Sequence, residues 1–415
     1  MNIKPEPTND FEKEFQISGD KYIAEIALIL AAISDGVSNL SNFPAGKDIN
    51  TAVNALRLLG VNIEVNNSNA VVKGTGLKGL KKPDSPIETG DNANLAFLLT
   101  GLLSAQDFDS EIISEIDLAN EHFQDLLGLL SAMEANIDLS HENGKSFIKI
   151  KGGKLTGKEH FLDFYSPAAK GALFLAGLYA ENETSVIEAF PSHNHMENLA
   201  AAFGGEFGIC HHNRLVCHKA KALHGKDFFV PGDVFYGLFF LCTGLLAAAH
   251  VKVKNISLNS ERIGFLYTLM DMGSKIKIPK DRDSLGESYG DIEAFLSELK
   301  GIILDEKSVM RIYEELPLII TLSLFANGET IIKKPQIPLD HDVKILLEKL
   351  RFLGGDIQEN DEEIRIKGGK ALKCGMVSAE NSIKIALSLA LCALKTEIFI
   401  ENTETLSNED ILNIL

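Results

Sequence analysis

The chain has 415 residues, 45% of them apolar and 24% charged, with a formal net charge of -18 at pH 7. That length and apolar content suit two ordinary domains with packed cores and exclude a disordered or fibrous protein. The acidic balance excludes a protein that tracks nucleic-acid phosphates, whose affinity comes from clustered Lys and Arg. The opening MNIKPEPTNDFEKEF carries Pro, Asn and acids where a signal peptide needs a basic patch and then an apolar run, so no export is expected. The most apolar stretch, LFFLCTGLLAAA at 238–249, is shorter than the ~20 residues a membrane span needs. The expected location is the cytoplasm, with no membrane and no nucleic acid as partner.

The predicted elements follow a repeating order along the chain. Long apolar helices are expected at 24–33, 94–103, 168–179, 235–248, 316–326 and 383–394; helices apolar over most of their circumference belong in a core. Between them, an amphipathic helix that ends in a small-residue turn and enters a strand occurs as ALRLLGVNIEV, LLSAMEANIDL, AAAFGGEFGI, TLMDMGSKIKI and KLRFLGGDIQE. The turns fall near Gly60, Glu134, Gly204, Gly273 and Gly354, roughly 70 to 80 residues apart. Glycine suits a helix that ends in a left-handed residue, so Glu134 is expected to use some other turn geometry. A strand running into a glycine turn recurs as VVKGTGLKGL, IKIKGGKLTG and IRIKGGKALK. Together these marks imply α/β domains with helices packed inside and sheets outside.

Five cysteines, Cys210, Cys217, Cys242, Cys374 and Cys392, form no CxxC pair and leave one over in any disulfide scheme, which fits a reducing compartment. Cys210, His211, His212, Cys217 and His218 crowd one stretch and have the softness zinc prefers. The same letters also read as two strand ends around an Asn-Arg turn, where alternation sends the side chains to opposite faces. The hairpin is the expectation, and no metal is.

Several ordered blocks then carry a resemblance across nearly the whole chain. VVKGTGLKGLKKP, LLTGLLSAQDFDSEI, KGALFLAGLYAENETSVIEAFPSHNHMENLAAAFG, VPGD at 230–233, NSERIG at 259–264 and SELKGI at 297–302 are similar, in register, to segments of the EPSP synthase family. The related UDP-N-acetylglucosamine enolpyruvyl transferases mostly use a Cys in the loop matching 110–125, which here has none. The resemblance implies the two-lobe enolpyruvyl transferase fold, an inside-out α/β barrel of six βαβαββ-type repeats. It implies a first lobe at 19–229 and a discontinuous second lobe at 1–18 plus 230–415, each with three repeats. It also implies a small-molecule ligand in the interlobe cleft and no cofactor, and it leaves any protein partner unidentified.

The family joins phosphoenolpyruvate to shikimate 3-phosphate, so its site gathers Lys and Arg around two phosphates and a carboxylate and adds a general acid and a general base. By resemblance, Lys21, Glu314 and His341 fall on catalytic positions, and Ser166, Ser192 and Lys344 on substrate-binding ones. Other family positions are substituted. Tyr22 replaces a Ser and Ile26 an Arg. In GDNANLAF, Ala93 replaces a Gly and Phe97 an Arg. The next Arg-Pro falls on Glu121 and His122, and Ala168 replaces a Gln. In the second lobe Asp340 replaces a Lys, Glu380, Asn381 and Ser382 stand for Asp-His-Arg, and Leu406 for a final Lys. Charged hydrogen bonds are each worth about 1.5–3 kcal/mol, so losing four or five removes roughly 6 to 15 kcal/mol of anion binding. Ser166 and Ser192 also suit cap or loop hydrogen bonds, and the acids at 340–342 suit a helix start. The expectation is an EPSP synthase-like protein that is catalytically degenerate and keeps a binding or interaction role. The alternatives are an active transferase with drifted site residues and a structural subunit of a larger assembly.

Overall fold

The computed structural model describes residues 2–3, 12–118, 122–210, 214–246 and 250–403. Among them are twelve helices: α1 (Lys21–Ala32), α2 (Lys47–Leu58), α3 (Ala93–Ser104), α4 (Phe123–Ala132), α5 (Pro167–Gly177), α6 (His195–Phe203), α7 (Val234–Leu246), α8 (Gly264–Asp271), α9 (Glu306–Met310), α10 (Leu316–Ser323), α11 (His341–Phe352) and α12 (Ile383–Ala393). None of the described helices is long and apolar enough to cross a membrane. The six predicted apolar helices are α1, α3, α5, α7, α10 and α12. Each is buried along nearly its whole length, as a helix without a polar face must be.

The chain divides into two compact units. The first unit to be completed in sequence comprises Ser18–Pro231 together with the short segment Asp283–Glu287; the other comprises Met1–Ile17, Gly232–Arg282 and Ser288–Leu415. The first is the central unit and the second the split unit. Asp283–Glu287 sits at the turn between the strands Lys275–Ser284 and Glu287–Phe295. Within the central unit it is held by a buried hydrogen bond between His195 Nδ1 and Glu287 Oε2 at 2.8 Å, and by the Phe229 N–H, which donates to Ser284 Oγ at 2.9 Å.

One sheet topology is used throughout. In the central unit the strand orders are Asp227–Phe229, Val37–Ser41, Asn69–Lys73, Asn62–Asn66; then Ile87–Gly90, Ser110–Ser114, Lys145–Lys151, Asn136–Glu142; then Glu159–Leu162, Thr184–Glu188, Arg214–Cys217, Phe207–Cys210. In each, the first pair is parallel and the others antiparallel. A parallel pair cannot be joined by a tight turn and needs a crossover, supplied here by an apolar helix such as α3 or α5. The split unit repeats the pattern around His250–Ser257 and Glu329–Lys333, and its last described sheet has three strands, with Asn2–Ile3 antiparallel to Ile398–Glu401. Phe207–Cys210 and Arg214–Cys217 do form the expected hairpin, Cys210 opposite Arg214; His211 and His212 lie outside the described residues.

The five small-residue turns share one geometry. Gly60, Glu134, Gly204, Gly273 and Gly354 all have positive φ, between 74° and 111°. In each, the turn residue and its successor donate back to the helix: Gly60 to Arg57 and Val61 to Leu56, or Glu134 to Ser131 and Ala135 to Leu130. That paired closure satisfies the helix's last carbonyls. Glu134, expected to differ, instead adopts the same left-handed backbone at φ 74°. The helix-closing bonds impose that conformation although its Cβ opposes it.

The second glycine signature marks close approach. A Cβ on Gly74 would lie 2.1 Å from the Ser34 carbonyl oxygen, on Gly152 2.3 Å from that of Phe108, and on Gly368 2.1 Å from that of Ala326. These strands pass against the loops that follow α1, α3 and α10, and no side chain fits there. Gly101 has the same role between helices, since its Cβ would stand 2.1 Å from the Ala172 oxygen.

Candidate active site

In the central unit, the heads of α1, α2 and α3 gather the family positions of the first two motifs. Asp20 caps α1 by accepting from the Ile23 N–H, and Asn92 caps α3 by accepting from the Leu95 N–H. Lys21 is the first residue of α1, and its Nζ lies 2.8 Å from Asp48 Oδ2 in the first turn of α2. Tyr22 donates its hydroxyl to the Pro167 carbonyl at 2.8 Å and meets the His193 ring edge-on at 5.3 Å. Ile26 and Phe97 are core residues, 1% and 2% exposed. Phe97 packs edge-to-face on Phe123, ring centroids 4.9 Å apart. Ala93 opens α3 directly after the cap. Glu121 lies outside the described residues. His122 sits at φ 57°, pairs with Asp125 at 2.9 Å and stacks on Phe164.

Ser166 caps α5, accepting from the Ala169 N–H at 3.1 Å, and Ala168 is buried in that helix's first turn. Ser192 donates to Glu188 Oε1 at 2.5 Å. Glu188 also pairs with Lys170, a lysine 1% exposed, whose second carboxylate is Glu197 at 2.9 Å. Burial alone would lower the Lys170 pKa, but Glu197 and Glu188 outweigh it and the net shift is upward. The charged lysine is therefore a fixed internal cation.

In the split unit, Asp340 caps α11 by accepting from the Asp342 N–H, and its other oxygen takes Lys384 Nζ at 2.7 Å. Burial pushes the Asp340 pKa up, but Lys384 prevails and holds it below the usual carboxylate range. Ser382 caps α12 and donates to Asp342 Oδ2 at 2.6 Å. Glu314 is half-buried, 3.2 Å from Arg262 Nη2, which also binds the buried Glu315 at 2.6 Å. His341 and Lys344 are exposed on the first turns of α11. Glu380 and Asn381 are consecutive left-handed residues, and Glu380 pairs with Lys349 at 2.8 Å. Leu406 lies outside the described residues.

Lys21, Ser166, Ser192 and positions 22, 26, 93, 97 and 168 are thus all in the central unit, and Glu314, Asp340, His341, Lys344 and 380–382 in the split unit. The sequence reading missed Glu25, Asn92, Lys170, Arg262 and Lys384. Glu25, Lys170 and Lys384 had a signal: each is a charge inside an apolar helix, the lone one in α5 and α12 and joined in α1 only by Lys21 at its first position, and such charges are rarely fully buried. Arg262, in the NSERIG block, had none.

The family model of EPSP synthase (3-phosphoshikimate 1-carboxyvinyltransferase) matches residues 5–409. The chain is 31% identical to the 3-phosphoshikimate 1-carboxyvinyltransferase of Ruthia magnifica, covering 95% of this chain and 92% of that one. It is likewise 31% identical to that of Bacillus velezensis, over 97% and 96%. The structure is similar to EPSP synthase from Acinetobacter baumannii, with a TM-score of 0.88 at 29% identity over 98% of this chain and 94% of that one. The enolpyruvyl transferase NikO from Streptomyces tendae shares the fold, with a TM-score of 0.78 at 16% identity over 100% and 96%. Matched over nearly its full length by the family model and its curated members, this two-domain α/β chain belongs to the EPSP synthase family.

Proposed function

We propose that this chain is a catalytically degenerate EPSP synthase homologue, which keeps the family body for binding or interaction and has lost enolpyruvyl transfer from phosphoenolpyruvate to shikimate 3-phosphate. The observation that carries this reading is that the cations at and beside the family's substrate positions are engaged by carboxylates of their own unit, Lys21 by Asp48 and Lys384 by Asp340. Two dianionic phosphates and a carboxylate must be desolvated together in the family reaction, which requires several cations turned toward them. Phe97 and Ile26, standing for two arginines, are packed into the core instead. Ser166 and Ser192 spend their hydroxyls on a helix cap and on Glu188. In this reading Lys21, Glu314, His341, Ser166, Ser192 and Lys344 occupy catalytic and binding positions without performing the reaction. Its five free cysteines fit a cytoplasmic location.

Purified protein given both substrates is expected to release no phosphate above background, and calorimetry is expected to detect no binding of either at millimolar concentration. Phosphate release that Lys21→Ala abolishes would overturn the reading and establish a drifted transferase in its place.

A further inference from the structure

Glu25 lies one turn beyond Lys21 on the buried face of α1, among Ile23, Ala24, Ile26 and Ala27, and is 2% exposed. Its carboxylate oxygen Oε1 accepts from Asn92 Nδ2 at 2.5 Å, while the Oδ1 of the same amide caps α3. One buried carboxyl thereby ties the head of α1 to the head of α3.

The charges around it do not favour a second anion. Asp20, the cap of its own helix, and Asp48, on α2, both act on Glu25 to disfavour ionisation; Lys21 acts the other way but lies 2.8 Å from Asp48. From α6, His195 pairs with Glu287 and Glu197 with Lys170. Among the strands packed on α1, Val37–Ser41 has no charged residue, and the Lys73 of Asn69–Lys73 is exposed. Asn92 is neutral, so no cation is committed to Glu25.

We propose that Glu25 is a positioning residue that works as a neutral carboxylic acid: buried beside Asp20 and Asp48 with no cation of its own, it ties Asn92 and the head of α3 to α1 and leaves Lys21 with Asp48. The inference rests on the reading of the Lys21 corner as a family substrate wall, yet its test uses no substrate. Burial, opposed only in part by the Asn92 bond, raises the Glu25 pKa to about 8. When the proton leaves, a third carboxylate joins Asp20 and Asp48. Lys21 then has two acids one helical turn or one helix away to choose between, and the Lys21–Asp48 contact loosens.

The experiment compares the full-length protein with Glu25→Gln, which mimics the neutral acid. Urea unfolding between pH 5 and 8 is expected to show the Gln variant gaining on the parent by roughly tenfold in folding equilibrium constant per pH unit, because the folded parent keeps a proton that its unfolded chain loses. In the parent, the Glu25 carboxyl carbon resonance is expected to titrate near pH 8, with the Asn92 side-chain amide and the Lys21 ammonium signals moving in step. A merely structural glutamate would not move the last two. Parallel stability profiles, or a carboxyl resonance that titrates near 4 to 5, would overturn the proposal. The resonance measurement needs no variant, so it decides the matter even if Glu25→Gln fails to fold. Detecting transferase activity would overturn the functional reading alone.

Discussion

Glu134 occupies a backbone conformation that four other repeats reserve for glycine. A non-glycine residue there bears a left-handed penalty of roughly 1–2 kcal/mol. Glu134→Gly removes that penalty but frees the unfolded chain, so the net gain is expected at about 0.5–1 kcal/mol, read as a raised unfolding midpoint. Phe97 gives the opposite case. The resemblance puts an arginine at this position, yet Phe97→Arg alone is expected to cost about 3–5 kcal/mol and to restore no phosphate release, because it deletes the packing on Phe123 and buries a charge in the α3 core. Chemical denaturation and a phosphate assay measure the two parts. A stable, anion-binding Phe97→Arg protein would mean that position 97 still faces a working site.

At the scale of elements, adjacent glycines in IKIKGGK have different duties. Gly152 passes 2.3 Å, measured from an added Cβ, from the Phe108 oxygen, while an added Cβ on Gly153 meets nothing within 4 Å. Gly152→Ala must therefore displace backbone and is expected to cost about 1–3 kcal/mol or more. Gly153→Ala is expected to lie between neutral and about 1 kcal/mol stabilising, since it only restricts the unfolded chain. Unfolding midpoints of the two single variants check the contrast. The sequence showed these elements clearly. A helix apolar all round, such as α3, has only one kind of place to go, and a glycine after a strand marks a turn or an approach. What it did not show was which of two neighbouring glycines is crowded, because crowding depends on a loop forty-odd positions upstream.

For the whole molecule, fold and site were legible to different degrees for one physical reason. The repeats are local, so five turns and six apolar helices announced the architecture. The letters that the resemblance marks as replaced, at 22, 26, 93, 97 and 340, were equally visible. The partners of the charges around them were not. Asp48 beside Lys21 and Asp340 beside Lys384 are contacts between distant segments, and no periodicity encodes them. The same holds for the segment Asp283–Glu287, whose membership of the central unit depends on Glu287 meeting His195 and on Ser284 meeting Phe229. Nothing in SLGES names a histidine some ninety positions earlier as its hydrogen-bond partner.

The parallel pairing of Glu12–Gln16 with His250–Ser257 also sets a timetable for synthesis. Glu14 lies opposite Lys252, roughly 240 residues later. At about 5–20 residues per second the ribosome needs on the order of 10–50 s to deliver that partner. The strand's edge must wait through that interval without sticking to another chain. Meanwhile Ser18–Pro231, continuous except for one five-residue piece, already carries its own closing strand, Asp227–Phe229. The central unit can thus mature while Glu12–Gln16 still waits for its partner strand. The side chains of Lys13, Glu14 and Gln16 are the kind that keep a waiting edge soluble.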